Sequence, residues 1–350
     1  MSLLQHFGHR VRVHSILYDG KEKMATCLVT GVAGFIGSTI ARALLAQGDE
    51  VRGFDNFCTG KRENLAGMLD QIELHEADLL DVDAVHNACR GVDYVFHEAA
   101  IPSVPRSLKD PLENNQANVD GTLNLLVASR DAKVKRVIYA ASSAAYGDSP
   151  TLPKRENMRP DPISPYATTK LAGEYYMISF YRCYGLETVC LRYFNVFGPR
   201  QDPTSPYSGV LAKFISQMLA GERPMILGDG TQSRDFTYVD DVVAANLLAR
   251  GADAAKVAGK VFNAATGRQS DLLQTFQILK KITAYPGDVK FGPERPGDVK
   301  HSLADISLAE QCLGYKPKVG FEEGLVRTVE WYRTREAQHA VAKLADCCGS

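Results

Sequence analysis

The chain has no hydrophobic run of the roughly 18 residues that mark a membrane-spanning helix. Its first residues do not resemble a signal peptide, because Arg10 and Arg12 interrupt them and no apolar core follows. The formal net charge at pH 7 is only -1, so no excess charge attracts the protein to nucleic acid or to an anionic membrane. We therefore expect a cytoplasmic protein that binds neither.

The eight cysteines form no C-x-x-C pair and have no histidine cluster near them. A zinc site is therefore not expected, and we predict no bound metal. Cys27 and Cys190 fall in apolar runs predicted to be buried strands, where free cysteine behaves as a small hydrophobic residue. Without a secretory signal, reduced thiols are the expected state.

Short runs rich in Val, Ile and Leu alternate with helical patterns from Ala25 onward. Such continuous runs are typical of strands buried on both faces. The order predicts an α/β fold of the Rossmann type, with a doubly wound parallel sheet. The predicted strands are 26–30, 50–54, 73–75, 92–97, 136–140 and 188–192. Helices are expected to begin near Phe35, Asp81, Pro111 and Pro165.

The pattern changes after Gly198, where proline and glycine become dense. We predict that residues 24–198 form most of the Rossmann domain. Residues 199–335 are expected to form a smaller, partly interleaved lobe that covers the carboxyl edge of the sheet and contacts the substrate. Residues 1–23 are predicted to be an extension, either ahead of an alternative start at Met24 or folded as a short packed helix. Residues 336–350 are predicted to be a C-terminal tail.

A glycine-rich loop follows the first predicted strand and opens a helix. Its glycines are spaced G-x-x-G-x-x-G. Gly31 permits the tight turn, Gly34 lets the backbone approach a pyrophosphate, and Gly37 lets the helix pack on the strand. The free N–H groups of the helix N-terminus favour an anion there. The pattern predicts a dinucleotide site, with Gly48 as the C-cap of the helix.

Acidic residues end the second and third predicted strands. A carboxylate at Asp55 would accept hydrogen bonds from the adenosine ribose and repel a 2′-phosphate, which favours NAD over NADP. The nearby Lys61 and Arg62 leave some tolerance of NADP open. Asp78 and Leu79 are candidate adenine contacts, although an aspartate after a strand is also an ordinary turn residue.

Tyr166 and Lys170 are spaced i, i+4 at the start of a predicted helix, so they share one face. A free phenol ionises near pH 10, and a neighbouring ammonium together with a nicotinamide cation would lower that pKa. Ser142 and Ser143 follow the fifth strand, where a hydroxyl could pass a substrate proton to Tyr166. The alternatives are a solvated helix face for the Tyr–Lys pair and turn residues for the serines.

Together these motifs resemble the extended short-chain dehydrogenase/reductase family, over about residues 25–332. Within it the chain is most similar to nucleotide-sugar 4-epimerases, particularly those that accept UDP-N-acetylhexosamines. The resemblance implies bound NAD, a Ser142/Tyr166/Lys170 triad, a UDP-sugar substrate and a homodimer formed by helices 111–130 and 165–183. It rests on GVAGFIGS, DNFCTG, HEAAIPSVPRS, NVDGTLNLL, ASSAAYGD, SPYATTK, LRYFNVFGPRQDP, SRDFTYVDD and RPGDVKHSLAD.

The resemblance also implies individual contacts. Beyond the residues above, the implied cofactor contacts are Phe35, Ile36, Asn56, Ala99, Ala100, Asn118, Tyr193 and Val196, with Tyr166 and Lys170. The implied substrate contacts are Ser103, Ser142, Ser143, Tyr166, Asn195, Gln201, Val210, Arg234, Arg295, Asp298 and Ser302.

Among these contacts, Asn195, Arg234 and Arg295 are expected to hold the diphosphate, since arginine can grip phosphate oxygens bidentately. The alternative is that the two arginines only pair with neighbouring aspartates, Asp235 and Asp298.

The resemblance also bears on the size of the sugar pocket. The resemblance places a size gate at Ser302, whose small side chain would admit an N-acetyl group, and places Gln201 near that group. Pro102 argues the other way, because the closest N-acetyl-sugar subgroup has a small residue there.

The implied reaction is a 4-epimerisation through a transient 4-keto sugar, most similar to UDP-GlcNAc/UDP-GalNAc or UDP-Glc/UDP-Gal interconversion. Related dehydratases need an Asp-Glu pair beside the triad hydroxyl, and related decarboxylases carry Glu there. Ser143 and Ala144 stand at those positions and supply no carboxyl proton. A UDP-glucuronate 4-epimerase remains an alternative. A non-catalytic NAD-binding protein is disfavoured, because both Tyr166 and Lys170 are present.

Overall fold

The computed structural model describes residues 24–203, 209–294 and 299–348, with side chains described up to residue 335. Thirteen strands lie within these ranges. They are β1 (Thr26–Thr30), β2 (Glu50–Phe54), β3 (Ile72–His75), β4 (Tyr94–His97), β5 (Arg136–Ser142), β6 (Glu187–Tyr193), β7 (Val196–Phe197), β8 (Met225–Leu227), β9 (Ser233–Arg234), β10 (Thr237–Tyr238), β11 (Lys260–Ala264), β12 (Ser270–Asp271) and β13 (Lys290–Gly292).

Twelve α-helices are described in the same ranges, and none of them is long and apolar enough to cross a membrane. They are α1 (Phe35–Gln47), α2 (Val82–Cys89), α3 (Val104–Lys109), α4 (Pro111–Asn115), α5 (Gly121–Asp131), α6 (Pro165–Tyr184), α7 (Val210–Leu219), α8 (Val239–Gly251), α9 (Ala254–Val257), α10 (Leu272–Thr283), α11 (Ser307–Leu313) and α12 (Phe321–Cys348).

Seven parallel strands form the central sheet, in the order β11-β6-β5-β4-β1-β2-β3. The strand order reverses between β1 and β4, and the crevice at such a switch point is where open α/β sheets bind ligands. The prediction of a doubly wound Rossmann sheet is confirmed. The seventh strand, β11, comes from the chain beyond residue 199, so both parts of the sequence build this one sheet.

Alternate residues of each strand face opposite layers of helices, as the pleat of a β-strand requires. Cys27 and Val29 of β1 pack with the helices α1 and α8 on one side. Leu28 between them faces α5 and α6 on the other side. Cys27 and Cys190 are both fully buried in strands, as the sequence predicts.

A separate apolar cluster fills the smaller part of the molecule. It joins α7, α10 and α12 through Phe214, Phe276 and Leu325. Phe197 of β7 belongs to the same cluster and makes edge-on contacts with Phe236. This cluster therefore anchors the later segments against the end of β7, close to the carboxyl edge of the main sheet.

The helix expected over residues 111–130 is interrupted. A π-helical turn covers Gln116–Asp120 between α4 and α5. The wider turn carries Asn118, whose Oδ1 accepts from the Ile101 N–H at 2.8 Å. The short helix α3, which the sequence did not predict, precedes α4 and is capped by Ser103.

Candidate active site

The loop between β1 and α1 forms a backbone cradle in which Gly31 and Gly37 leave no room for a side chain. Gly31 has a positive φ of 68°, and a Cβ there would lie 2.8 Å from the backbone nitrogen of Ala99. A Cβ on Gly37 would lie 2.2 Å from the Gly31 carbonyl oxygen. No side chain caps the N-terminus of α1 at Gly34. The first N–H groups of α1 are therefore available to an anionic ligand such as a pyrophosphate.

The candidate cofactor residues gather at the carboxyl edge of the sheet. They follow successive strands in the arrangement that a dinucleotide laid across the switch point requires. After β1 come Gly31, Gly34, Phe35, Ile36 and Gly37; after β2, Asp55 and Asn56; after β3, Asp78 and Leu79; after β4, Ala99 and Ala100; and Tyr193 ends β6 while Val196 begins β7.

Asp55 is buried at the end of β2 and has partners within the chain. Its Oδ2 accepts from the Ala33 N–H and its Oδ1 from the Phe57 N–H, both at 2.8 Å. Burial raises the pKa of Asp55, and these two hydrogen bonds act against that rise. Each oxygen retains a second lone pair, so Asp55 can shape the glycine loop and still accept from a ribose. Next to it, Asn56 donates to Asp78 at 2.6 Å.

Tyr166 and Lys170 lie one turn apart on α6, and Ser142 lies at the end of β5. Burial raises the pKa of Tyr166, and a side-chain hydrogen bond with Ser142 acts to lower it. In the protein alone the pKa of Tyr166 is therefore raised, whereas the sequence analysis expects it to be lowered. That expectation included the positive charge of the nicotinamide ring, which belongs to the cofactor and not to the chain.

The ammonium of Lys170 is fixed between β5 and α6. Its Nζ donates to the Ala140 carbonyl at 2.8 Å and lies 4.9 Å from the centre of the Tyr139 ring. The close approach depends on Gly173, where a Cβ would lie 2.2 Å from the Tyr139 hydroxyl. Burial lowers the pKa of Lys170, while the carboxylates of Glu98 and Glu174 act to raise it.

Asn118 and Ser103, both expected to contact ligands, are engaged within the chain. Asn118 donates to Thr169 Oγ1 at 3.1 Å and is almost wholly buried, so it ties the π-helical turn to α6. Ser103 Oγ accepts from the Arg106 N–H at 3.1 Å as the N-cap of α3. Their ligand contacts stay predictions.

Glu98 is a polar residue of this region that sequence reasoning missed. It follows β4, and its Oε1 accepts from the Tyr193 hydroxyl at 2.7 Å. Burial raises the pKa of Glu98, and the charge of Lys170 acts to lower it. The available signal was a carboxylate that directly follows a buried strand and precedes the apolar pair Ala99-Ala100.

A cavity of about 240 Å³ opens beside the triad. The structure brings to it five of the predicted substrate residues, Ser142, Ser143, Asn195, Arg234 and Ser302. Other residues that line it were not predicted; they include Val104, Lys154, Phe194, Val299 and His301. Ser103, Tyr166, Gln201 and Val210 do not line it. Arg295 and Asp298 lie outside the described residues.

Asn195 occupies a strained position at the wall of this cavity. Its φ is 35°, a left-handed value that is uncommon for a residue other than glycine. Its Nδ2 donates to the Asp235 carbonyl at 3.1 Å and to Ser302 Oγ at 3.4 Å. Arg234 donates to the carbonyls of Ser233 and Lys300, while the Asp235 carboxylate accepts from Thr266 and the backbone N–H groups near it.

No group of three metal-ligating side chains is arranged to hold an ion in the part of the chain that the structure describes. A glycine cradle at the switch point, an acidic residue after β2 and a Ser–Tyr–Lys set at one edge define an NAD-binding Rossmann enzyme. The NAD dependent epimerase/dehydratase family matches residues 27–265, and the chain belongs to this family. The expected membership of the epimerase branch of the extended short-chain dehydrogenases, with NAD as cofactor, is confirmed.

Individual relatives are similar along nearly their whole length. The UDP-glucose 4-epimerase of Mycolicibacterium smegmatis is 39% identical over 312 residues, which are 88% of this chain and 98% of the relative. The structure of a UDP-N-acetylglucosamine 4-epimerase from Methanobrevibacter ruminantium, in complex with UDP-N-acetylmuramic acid, is 44% identical with a TM-score of 0.86, covering 90% and 100% of the two chains. A UDP-glucose 4-epimerase from Thermotoga maritima, with UDP-glucose, is 41% identical with a TM-score of 0.85, covering 89% and 99%.

Proposed function

We propose that this enzyme inverts C4 of a UDP-hexose through a transient 4-keto sugar. The observation that carries the proposal is that Ser142, which is hydrogen-bonded to Tyr166, lies with Asn195 in one cavity, with Ser143 and Ala144 on its wall. A dehydratase or decarboxylase of this family would need a carboxyl group at those last two positions. Relatives named as UDP-glucose and UDP-N-acetylglucosamine 4-epimerases support the same reading.

In this mechanism Tyr166 takes the proton from the 4-hydroxyl, and Ser142 relays it through the hydrogen bond that links the two side chains. Lys170 holds a positive charge beside the phenolate and orients the cofactor ribose. NAD, when bound, supplies reversible hydride transfer at C4. Arg234 and Asn195 hold the nucleotide diphosphate while the keto sugar turns. Either face of the sugar can then be presented to the same catalytic residues.

The remaining assignments belong to the same proposal. Residues 24–198 provide most of the cofactor domain, and residues 199–335 provide the lobe that holds the UDP group. The cofactor and substrate contacts predicted from the sequence, including Arg295 and Asp298, keep the roles given above. Gln201 does not line the cavity, and its amide donates to the Val196 carbonyl at 3.2 Å; its contact with the acetamido group stays a prediction. Asn195, which does line the cavity, is the second candidate for that contact.

The substrate that we propose includes UDP-N-acetylglucosamine as well as UDP-glucose. Ser302 lines the cavity with a small side chain held within reach of Asn195. A hydroxymethyl group at this point leaves room for a substituent on C2, whereas a bulky aromatic would fill that room. Pro102, which the resemblance weighs against an N-acetyl sugar, is exposed and does not line the cavity.

The test is to incubate the purified protein with UDP-glucose, UDP-N-acetylglucosamine and UDP-glucuronate, and to resolve the 4-epimers. We expect turnover of at least the two neutral sugars, UDP-glucose and UDP-N-acetylglucosamine. Ser302→Tyr should reduce the acetamido reaction much more than the glucose reaction, and Ser302→Ala, which keeps the space, should not. Equal losses on both sugars would refute the gate. Exclusive turnover of UDP-glucuronate would favour the alternative epimerase, and no turnover of any sugar would refute the function.

We also propose a homodimer built on α4 and α6. These helices pack side by side and carry large apolar side chains that are exposed in the single chain, with Leu112 at 76% and Tyr175 and Tyr184 at 56%. A helix that is apolar beyond one stripe usually buries a second face. Light scattering at micromolar concentration should give twice the chain mass. Leu112→Glu should give a monomer, and a monomeric wild type would refute the dimer.

A further inference from the structure

A second cavity of about 250 Å³ lies next to the sugar pocket, and nothing in the proposed mechanism uses it. The two cavities share Tyr146 and Lys154, so they are neighbours. The other residues that line the second cavity are Ser149, Thr151, Met158 and Arg159. Its volume is several times the roughly 30 Å³ that one water molecule occupies in the liquid. A small substituent of a sugar therefore fits.

Lys154 is held at this position by long-range contacts. Its backbone N–H donates to the Leu303 carbonyl at 2.7 Å, and its own carbonyl accepts from the Asp305 N–H at 2.8 Å. These bonds tie the segment to the chain on either side of Ala304, close to Ser302. Lys154 is only 2% exposed. A flexible and usually solvated side chain is thus fixed between two cavities.

The ammonium of Lys154 has no carboxylate within ion-pair distance among the residues that the structure describes. Its Nζ donates to the Ser149 carbonyl, which uses one of three donors. Burial lowers the pKa of Lys154, and the charge of Asp148 acts to raise it. A buried cation with a single neutral partner is stabilised further by an anionic ligand.

The other charged residues near the cavity also favour an anionic ligand. Arg159 is exposed and is in no ion pair within the described ranges. Two carboxylates in the neighbourhood are occupied elsewhere, since Glu156 accepts from the Asn263 N–H at 2.8 Å and Asp305 pairs with Arg155 at 2.9 Å. The lining residues therefore include two cations and no acid.

We propose that this second cavity binds a carboxylate carried by the substrate sugar, with Lys154 and Arg159 as its counter-charges, so that the enzyme accepts acidic UDP-sugars. The inference rests on the proposed epimerase function and extends its substrate class. Lys154 supplies a point charge on the wall of the sugar pocket, and Arg159 can donate two parallel hydrogen bonds to the carboxylate from the outer side.

The test uses substrate pairs that differ by one carboxylate. UDP-glucuronate carries a carboxylate in place of the hydroxymethyl group of UDP-glucose, and UDP-N-acetylmuramic acid adds one to UDP-N-acetylglucosamine through an ether on O3. For each pair the ratio of acidic to neutral kcat/KM is measured. Lys154→Met should lower the ratio about tenfold in at least one pair, through KM, and Arg159→Gln should lower it about threefold. The pair that responds tells which carbon carries the acid.

The matched control is Arg90→Gln, which removes an exposed arginine that lines neither cavity and is in no ion pair among the described residues. It should leave both ratios unchanged. Ratios that are unchanged in Lys154→Met and Arg159→Gln for both pairs would overturn the proposal, even with full epimerase activity. If circular dichroism shows that Lys154→Met does not fold, the result for Arg159→Gln decides the question. If the wild type turns over no sugar, calorimetric affinities for the same pairs still test the cavity separately from the reaction.

Discussion

The hydroxyl of Tyr193 donates a 2.7 Å hydrogen bond to Oε1 of Glu98 at the carboxyl edge of the sheet. The amide of Asn246 donates to the same hydroxyl at 2.7 Å, so α8 holds the Tyr193 hydroxyl that bonds the carboxyl group. Burial raises the pKa of Glu98 to about 7. The charge of this residue therefore changes near neutral pH, close enough to Lys170 for the two charges to influence each other.

Glu98→Gln should move the alkaline limb of the pH–activity profile to lower pH. Above about pH 7 the wild-type carboxylate supports the Lys170 ammonium. Glutamine keeps a hydrogen-bond acceptor for Tyr193 but carries no charge, so Lys170 loses its proton earlier, by about one pH unit. The measurement is kcat/KM against pH.

The control for this prediction is Glu50→Gln, the same change at an exposed position of β2. Its pH profile should match that of the wild type. Identical profiles for Glu98→Gln and the wild type would show that Glu98 does not tune Lys170.

Tyr166→Phe should retain the fold and bound NAD but lose epimerase activity by about a thousandfold, because a general base contributes on the order of 100- to 10,000-fold. Tyr181→Phe is the matched control, since Tyr181 lies on the same helix with a side chain 37% exposed. Turnover is measured by product separation, and NAD by its absorbance after denaturation. Substantial activity in Tyr166→Phe would rule out the proposed base.

Gly37→Ala should weaken NAD binding and destabilise the protein by about 1–3 kcal/mol. The added methyl group would lie 2.2 Å from the Gly31 carbonyl, and both partners are backbone that cannot move aside cheaply. Gly320→Ala, where a Cβ meets no atom within 4 Å, should have neither effect. Calorimetric NAD affinity and urea unfolding check both variants. Normal NAD affinity in Gly37→Ala would contradict the assignment of the cradle.

His97→Gln should reduce the loss of stability in acid. The imidazole is fully buried between Thr30 and Thr122, and burial lowers its pKa from 6.5 to about 3. A lowered folded-state pKa contributes stability above pH 6.5 that is lost as pH falls toward 3, because the unfolded chain takes up the proton first. The loss is roughly 5 kcal/mol at most.

The free energy of unfolding in urea, measured from pH 7 to pH 4, tests this prediction. The wild type should lose more stability over that range than His97→Gln. His86→Gln, on the surface helix α2, serves as the matched control and should follow the wild type. Parallel curves for His97→Gln and the wild type would contradict it.

The features that sequence analysis found depend on local patterns. Six strands could be placed within two residues at either end, because strands buried on both faces are short, continuous apolar runs. The glycine cradle could be recognised because Gly31 and Gly37, whose backbones contact each other, are close together in the sequence. The pairing of Tyr166 with Lys170 follows from helical spacing alone.

The features that it missed depend on contacts between distant segments. The π-helical turn exists because Asn118 reaches back to Ile101 and across to Thr169. The hydrogen bond from Tyr193 to Glu98 needs β4 and β6 in one sheet, on either side of β5. The position of Lys154 needs the bonds to residues 303 and 305, about half the chain away. No short window of sequence contains both partners of any of these contacts.

The position of β11 at the edge of the central sheet governs the order in which the chain can complete its fold during synthesis. β6 can pair with β5 as soon as residue 193 has emerged, but its other edge is covered only after residues 260–264 arrive. Until then a row of unpaired backbone groups beside Cys190 and Leu191 is open to other chains. A fragment that stops at residue 198 keeps that edge permanently, so it should aggregate and cannot serve as an independent cofactor-binding module.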